Sequence, residues 1–343
     1  MERSSDLARD VLAAPGAAPV MRLGSFGAAV VGHVGQRWAD GLACSIAIGA
    51  FDGCHLGHRE LLCHMIDDAR DRGIASVAVT FDPDPDEVVS PAPALKLMSS
   101  ADRISALASS GVDFVMVVPF TRELAALDHV GFFTRVLEPS LDVRSVHVGS
   151  DFRLGARGAS NVSVMRSWGA GRGMDVYGHE LVRTDGSPIS ATRIRALLAG
   201  GDLASVTSEL GRRYLVRGIV SHGRGQGTGM GFPTANVSIP SGRQLPADGV
   251  YAGYAVVDGI AWPAAINVGV PPMFADGIRS ARLEAHLIGF EGDLYGREAS
   301  IVFDARLRAT STFASLDELI EVVNSDIAAT RELLGSDPIE VRA

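Results

Sequence analysis

Two histidines, His55 and His58, stand three residues apart directly after a short apolar run that ends at Gly49. Leu56 and Gly57 separate them, and a helical pattern begins at about Gly57. Backbone N–H groups at a helix N-terminus attract anions, and imidazoles can donate to phosphate oxygens as charge moves onto a leaving pyrophosphate. A glycine at this point lets a phosphate approach the backbone. The pattern therefore predicts a phosphate site, with a plain strand-to-helix turn bearing two exposed histidines as the alternative.

The elements around this turn read as an alternation of strands and helices. Apolar runs predict strands over residues 43–49, 74–81, 114–118 and 145–149, and helical periodicity predicts helices over 57–72, 101–109 and about 128–138. This alternation is typical of a parallel, doubly wound sheet, which binds ligands at the carboxyl ends of its strands. The histidine pair falls at such an end. The first 20 residues are predicted to be disordered and to lead into an edge strand near residues 28–31.

The pattern of apolar and turn residues changes after about residue 212. Short alternating segments bounded by Gly and Pro predict strands over 216–221, 234–239, 251–256, 264–268, 283–288 and 300–303, and a helix over 315–334. Many short strands with turn signals indicate a small closed β-barrel. We therefore predict an N-terminal extension over 1–40, a first domain over 41–205 and a second over 212–343.

Bulk properties limit the class of protein. With 343 residues, 47% hydrophobic, the chain is long enough for two domains, and its net charge of −9 argues against nucleic-acid and anionic-membrane partners. No apolar run is long enough for a membrane span, and residues 1–22 lack a secretory signal pattern. The three cysteines cluster within one region at spacings that fit neither a disulfide framework nor a zinc site, so a cytoplasmic location is expected.

The run IGAFDGCHLGH, residues 48–58, resembles a motif of one family: the bacterial bifunctional riboflavin kinase/FMN adenylyltransferases. HLGH within it is similar to the HIGH motif of the nucleotidylyltransferase superfamily. The resemblance extends from about residue 43 to 340. It implies an α/β doubly wound, Rossmann-like nucleotidylyltransferase domain, followed by a small closed β-barrel riboflavin-kinase domain with a C-terminal helix.

The resemblance also implies site residues in the first domain. His55 and His58 would be catalytic. The segments ISATRIR (189–195) and GSDFRLG (149–155) are similar to the family's phosphate-gripping and flavin-holding segments. The alternative for ISATRIR is a helix cap with a solvated basic face, and GSDFRLG taken by itself fits a strand-end turn better than a site. The implied nucleotide-binding residues are Gly49, Phe51, Asp52, Gly53, Gly57, Ser190, Thr192, Arg195 and Gly231, and the implied flavin-binding residues are Asp151, Phe152 and Arg153.

Two further motifs imply the chemistry of the second domain. GFPTAN (231–236) matches a riboflavin-kinase signature, in which Thr234 and Asn236, two apart on a strand, would bind Mg²⁺ and phosphate oxygens. LEAHL (283–287) followed by GDLYG (292–296) is similar to the family's second kinase motif. Glu284 would there be the base that accepts the ribityl hydroxyl proton. A solvated strand face is the alternative for Glu284.

Several positions depart from the family pattern. Asp84 stands where the family's TFDPHP loop has histidine, and a carboxylate there would repel phosphate unless a metal or an arginine intervenes. Arg213 replaces the proline of LGRPY. The remaining departures are Ala191, Thr228, Val270, Pro271 and Met273.

The resemblance implies a two-step activity that consumes ATP and uses Mg²⁺: riboflavin is phosphorylated to FMN, and FMN is adenylylated to FAD. Riboflavin, FMN, FAD and ATP are then the binding partners, with no nucleic acid or membrane, and a homo-oligomer is compatible with the sequence. The departures keep two alternatives open. One is a diverged paralogue with a single activity or an altered flavin or nucleotide, and the other is a non-catalytic flavin- or nucleotide-binding regulator.

Overall fold

A computed structural model describes residues 2–12, 18–23, 29–32, 41–222, 232–269 and 283–341. The chain divides into two compact units. Residues 15–94 and 99–191 form one, called here the sheet unit, and residues 1–14, 95–98 and 192–343 form the other, called here the barrel unit. The domain boundaries predicted from the sequence, 41–205 and 212–343, were meant to separate two activities. These two compact units do not test that division, so the predicted boundaries stay a prediction.

The sheet unit contains a seven-stranded sheet in the order β2-β1-β5-β4-β3-β6-β9. Its strands are β1 (Val20–Leu23), β2 (Ala29–Gly32), β3 (Leu42–Ile48), β4 (Ala75–Phe81), β5 (Phe114–Val118), β6 (Leu141–Gly149) and β9 (Asp175–His179). All neighbours are parallel except β1 and β2. The predicted parallel sheet and the predicted edge strand are both confirmed. Two-stranded ribbons complete the unit: β7 (Arg153–Leu154) with β8 (Ser160–Asn161), and β10 (Arg183–Thr184) with β11 (Ser187–Pro188).

Helices cover both faces of this sheet. In β3, Ile46 and Ile48 belong to one buried apolar cluster and Ala47 to another, because alternate residues of a strand face opposite sides. The helices are α2 (Leu56–Arg72), α3 (Pro85–Val89), α4 (Ser100–Ala108), α5 (Arg122–Ala125), α6 (His129–Phe132), which continues into a π-helical turn (Phe133–Leu137), and α7 (Val162–Ala170). This is the doubly wound arrangement that the sequence predicts.

The barrel unit is built on seven antiparallel strands: β12 (Tyr214–Ser221), β13 (Ala235–Ser238), β14 (Gly249–Val257), β15 (Ile260–Val268), β16 (Leu283–Leu287), β17 (Glu298–Ala309) and β18 (Ile339–Glu340). Six of them pair in the ring β14-β17-β12-β13-β16-β15, and β15 pairs back with β14, so the barrel is closed as predicted. The helices of this part are α8 (Ala191–Gly200), α9 (Leu203–Leu210) and α10 (Leu316–Leu334). The predicted C-terminal helix is therefore confirmed.

The N-terminus differs from the prediction of disorder, because Glu2–Asp10 forms a helix, α1, that belongs to the barrel unit. Leu7 and Val11, 1% and 7% exposed, pack in one apolar cluster with Leu215 of β12. The Arg213 backbone N–H and its Nη1 each donate to the Asp10 carboxylate at 2.9 Å. A helix this short is marginal by itself, so composition misses it and tertiary contacts stabilise it.

Two further expectations can be compared with the described residues. Cys44, Cys54 and Cys63, which all lie in the described ranges, form no disulfide bond. Within the described ranges, no helix combines the length and the apolar character that crossing a membrane requires.

Candidate active sites

A tight turn carries the chain from the end of β3 into α2. The Gly49 N–H donates to the Val79 carbonyl at 3.1 Å and ties the strand end to β4. Phe51 then adopts left-handed backbone angles (φ 53°), and a single 3-10 turn (Asp52–Cys54) follows with Gly53 at φ 82°. These positive φ values reverse the chain within a few residues, so that α2 begins beside the carboxyl end of β3.

The two histidines stack on each other at the start of α2. Their ring centroids lie 3.6 Å apart, with the planes inclined by 17°. His55 is the N-cap, and its Nδ1 accepts from the His58 backbone N–H at 3.3 Å. Because a backbone N–H can only donate, this bond places the neutral His55 proton on Nε2. In the described part of the protein, the Nδ1 atom of His58 is buried without a hydrogen-bond partner, so a substrate oxygen could satisfy it.

Burial fixes the charge of the pair. It lowers the pKa of His55 to about 4. Burial, and next the neighbouring His55, hold the pKa of His58 well below its usual value of 6.5. Both rings are therefore neutral at pH 7 and act as N–H donors rather than as cations. The alternative of two exposed histidines is wrong, since His55 is only 6% exposed.

Gly57 and Phe51 both lie beside the rings of this pair. A Cβ at Gly57 would lie 3.2 Å from Cε1 and Nδ1 of His55, so glycine leaves room for the ring. The Phe51 ring lies edge-on to His58 with centroids 5.2 Å apart and is 1% exposed in the apolar core. The Phe51 side chain is thus part of the core, and nucleotide binding at Phe51 stays a prediction. Asp52 is also buried, at 5% exposure.

A pocket of about 900 Å³ opens in the sheet unit beside the strand end at Gly49. Phe152 and Arg153, two of the three predicted flavin-binding residues, line it, while Asp151 is exposed and does not. Aromatic and aliphatic side chains that the sequence reading missed form much of the wall: Phe81, Phe120, Leu124, Leu127, Phe132 and Leu154. Phe81 and Phe120 meet edge to face at 5.5 Å. A mostly apolar wall with a few cations suits a flat ring system that carries a phosphate.

Asp84, the departure expected to repel phosphate, is buried in an ion pair with Arg103. Arg103 Nη2 also donates to the Phe81 carbonyl. An arginine therefore does intervene, and the carboxylate charge is compensated within the protein. With its charge compensated in this way, the Asp84 carboxylate is no longer expected to repel a phosphate.

Ser190 directly precedes α8, which begins at Ala191 and contains Thr192 and Arg195. Arg195 Nε donates to the Leu95 carbonyl at 2.6 Å. The neighbouring Arg193 pairs with the fully buried Glu209 of α9 at 2.5 Å. The helix is confirmed, and the phosphate contacts of Ser190, Thr192 and Arg195 stay a prediction.

On the barrel, strand register places polar residues side by side. Glu284 of β16 lies directly opposite Asn236 of β13 on one side and Asn267 of β15 on the other. Asn236 in turn lies opposite Ser221 of β12. Directly opposed residues share a face of the sheet, with Cβ atoms about 5 Å apart. We call Ser221, Asn236, Glu284 and Asn267 the polar row.

The polar row faces away from the barrel core, because its neighbours Leu283 and Ala285 are buried. Thr234 lies one residue before β13. Sequence reasoning did not include Asn267 among the site residues. Gly231, Thr228, Val270, Pro271 and Met273 lie outside the described residues.

The donors of the polar row are of the kind that Mg²⁺ prefers. Asn236 and Glu284 bring an amide and a carboxylate oxygen together, and Mg²⁺ binds through few protein oxygens while it keeps several waters. Across the described ranges, no group of three or more His, Cys, Asp or Glu side chains could hold a metal ion. The residues present therefore fit a metal shared with substrate phosphates better than a metal held wholly by protein.

Comparison with known proteins gives the family. The FAD synthetase family matches residues 39–193, and the riboflavin kinase family matches residues 210–334. The bifunctional riboflavin kinase/FMN adenylyltransferase of Pseudomonas fluorescens is 36% identical over 290 residues, which cover 84% of this chain and 93% of that protein. The chain belongs to this bifunctional family.

Another bifunctional riboflavin kinase/FMN adenylyltransferase, from Escherichia coli strain K12, is 38% identical over 298 residues, or 85% of this chain and 93% of that protein. A crystal structure titled macrolide-efflux protein from Streptococcus pneumoniae has a TM-score of 0.75 and 27% identity, and the match covers 84% of this chain and 94% of that one. Family membership confirms the resemblance stated above. It makes this chain an ATP-using transferase of the kinase and nucleotidyltransferase types.

Proposed function

We propose that this protein converts riboflavin and ATP into FMN and ADP, and FMN and ATP into FAD and pyrophosphate. The observation that carries the proposal is that the reacting groups implied for both steps are present in a chain of this family. A stacked histidine pair stands near an apolar pocket in the sheet unit, and Glu284 stands opposite Asn236 in the barrel unit. The two units then each perform one step.

In the sheet unit, a phosphate oxygen of FMN attacks the α-phosphorus of ATP, and the bond from that phosphorus to pyrophosphate breaks. The neutral imidazoles of His55 and His58 donate hydrogen bonds to oxygens on which negative charge develops. Ser190, Thr192 and Arg195 hold the departing pyrophosphate. The 900 Å³ pocket receives the flavin ring between Phe152 and Phe81. No covalent enzyme intermediate is needed.

In the barrel unit, the ribityl 5′-hydroxyl of riboflavin attacks the γ-phosphorus of ATP, and Glu284 accepts the hydroxyl proton. Thr234 and Asn236 would hold Mg²⁺, which supplies neutralisation of phosphate charge when bound. Asn236 and Asn267 lie opposite Glu284 on the two neighbouring strands, so both amides share its face of the barrel.

The diverged paralogue remains the second candidate, and Ala191 favours it because a hydroxyl of the family pattern is missing there. Asp84 no longer favours it, since Arg103 compensates its charge. A silent regulator has no use for a paired base and metal ligand, so the polar row argues against it.

Purified protein incubated with riboflavin and MgATP, with the products separated by chromatography, tests the proposal. FMN and FAD together support it. FMN alone, or FAD only when FMN is supplied, indicates the paralogue, and flavin binding without turnover indicates the regulator. A cytoplasmic location, the lack of a nucleic-acid or membrane partner and a homo-oligomeric state stay predictions.

A further inference from the structure

The pocket beside Gly49 combines an apolar wall with three arginines. Apart from Arg122, Arg153 and Arg157, every residue that lines it is apolar or glycine. The three arginines are exposed, and within the described ranges their side chains form no ion pair or hydrogen bond. Unpaired guanidinium groups are therefore the polar side chains that this wall offers to a ligand. Such a wall suits an apolar ring with an anionic group, and the anion belongs at the arginines.

Two of these arginines belong to one short hairpin. Strand β7 begins with Arg153 and pairs with β8, and residues 155–159 connect the two strands. Arg157 lies in that connection, directly before Gly158. A Cβ at Gly158 would lie 3.2 Å from the Cβ of Arg153, so the connection folds back onto Arg153. The hairpin thus brings two positive charges to the same wall of the pocket.

The hairpin is attached to the segment that leads into α6. The Ala156 N–H donates to the Leu127 carbonyl at 2.8 Å. On β8, the Ser160 hydroxyl lies 2.7 Å from Nδ1 of His129. These bonds fix the backbone of the hairpin before a ligand arrives, so binding does not have to order it.

Arg157 has a strained backbone. Its φ is 57° and its ψ 23°, in the left-handed region that a bulky residue rarely adopts. Asp185 and Asp258 also have positive φ values, but each precedes a glycine in a two-residue hairpin turn, where aspartate is usual. Turn chemistry of that kind does not explain an arginine in the longer β7–β8 connection. Strain of this kind is typical of ligand-binding segments, where the side chain offsets it.

We propose that Arg157 is a specificity-determining residue of this pocket, whose guanidinium binds the phosphate of the flavin and so favours a phosphorylated flavin over a neutral one. The inference deepens the proposed function and rests on it. Riboflavin, the substrate of the barrel unit, would then compete poorly with FMN in the sheet unit. Arg122 and Arg153 add positive charge from a helix and a strand.

The test uses Arg157→Gly, which removes the guanidinium while glycine adopts the left-handed backbone without strain. Because the strain is relieved, the variant should fold, with a denaturation midpoint no lower than that of wild type. Asp185→Gly is the matched control: it replaces an exposed, left-handed, charged residue of the same unit that does not line the pocket.

FAD formation by the full-length proteins at pH 8 gives the KM for FMN. Lumiflavin, which has the flavin ring without a ribityl chain or phosphate, gives the inhibition constant of a neutral flavin. Arg157→Gly should raise the KM for FMN about tenfold and change the lumiflavin constant less than about twofold. Added NaCl should raise the KM of wild type more than that of Arg157→Gly, because salt screens the lost charge. In Asp185→Gly both constants should stay within about twofold of wild type.

A KM for FMN in Arg157→Gly within about twofold of wild type would overturn the inference. So would a lumiflavin constant that rises in parallel with the KM, since the side chain would then only support the wall. An equal rise of the KM in Asp185→Gly would also overturn it. Wild type without FAD formation would refute the proposed function instead. The dissociation constants of FMN and lumiflavin, measured by flavin fluorescence in wild type and Arg157→Gly, would then decide the inference by the same ratios.

Discussion

Glu284 and Asn236 are directly opposed residues on hydrogen-bonded strands of the barrel, although 48 positions separate them in the chain. Opposed residues point to the same side of a sheet, so the carboxylate and the amide share one outward face. Asn267 stands on the other flank of Glu284. The relationship brings a candidate base to a candidate metal ligand without any local sequence signal that joins them.

Replacement of Glu284 by Gln should lower FMN formation from riboflavin by about 10²–10⁴-fold, because the amide cannot accept the hydroxyl proton. FAD formation from supplied FMN should continue at the wild-type rate. Glu298→Gln, the same change from carboxylate to amide at an exposed position of β17, is the matched control and should retain both activities. Equal damage to both steps in Glu284→Gln would refute the assignment of one step to each unit.

Replacement of His58 by Ala should have the opposite effect: FAD formation from FMN falls about 10²-fold or more, and FMN formation is retained. The reason is the loss of a neutral N–H donor from the stacked pair. Cys63→Ala, an exposed change on the same helix, controls for effects on α2. Retention of adenylylation by His58→Ala would exclude this histidine from the reaction.

Gly57→Ala tests whether the glycine makes room for the His55 ring. The added Cβ would lie 3.2 Å from that ring and force it to shift by about a few tenths of an ångström, so adenylylation should fall at least about tenfold with flavin affinity unchanged. Gly171→Ala is the control, because its Cβ would make only an ordinary contact of 3.7 Å. Steady-state kinetics of both variants decide the point, and similar kcat values in the two would contradict it.

Asp10→Ala should destabilise the protein by about 2 kcal/mol, because it removes two charge-assisted hydrogen bonds to Arg213, which keeps its pairing with Asp304. Chemical denaturation of the full chain measures the change. Asp6→Ala removes an exposed carboxylate of the same helix and should cost less than about 1 kcal/mol. A loss for Asp10→Ala no larger than for Asp6→Ala would show that α1 is not anchored through this pair.

A histidine cluster predicts how stability depends on pH. His147 Nδ1 and His179 Nε2 lie 2.9 Å apart, and His147 Nε2 lies 3.2 Å from Asp68. Burial lowers the pKa of His147 and takes the pKa of His179 to about 4, with coulombic repulsion from His147 as a smaller cause for His179. The unfolded chain then binds more protons than the folded one between the usual pKa of 6.5 and about 4.

Stability should therefore be fully present above pH 6.5 and decline as the pH falls towards 4. Denaturation midpoints measured across this range should show a weaker decline in His179→Asn, which removes one titrating ring. The same slope in both proteins would contradict a contribution from His179. Burial raises the pKa of Asp68, but hydrogen bonds from Ser145, Arg72 and His147 outweigh burial and lower the pKa to about 2. The stability that ionised Asp68 contributes is therefore lost at a lower pH than the stability that depends on the two histidines.

The sequence alone determined the parts of this protein that local rules govern. The alternation of strands and helices, the turn that bears His55 and His58, the closed barrel and the C-terminal helix each follow from periodicity and turn chemistry within short windows. The motifs gave the family, which the comparisons confirm. In these stretches, hydrophobic pattern and local propensity agree with the fold.

Tertiary structure alone decided the partners of the charged and polar groups. Arg103 forms an ion pair with Asp84, and Arg213 forms one with Asp10, because packing brings distant segments together. Strand register places Asn267 opposite Glu284. The sequence does not show whether a carboxylate is paired with a cation. From the sequence, Asp84 was therefore expected to repel phosphate, and only the structure shows its ion pair with Arg103. Disorder was wrong for Glu2–Asp10 for the same reason, since the contacts that stabilise this helix lie some 200 residues away.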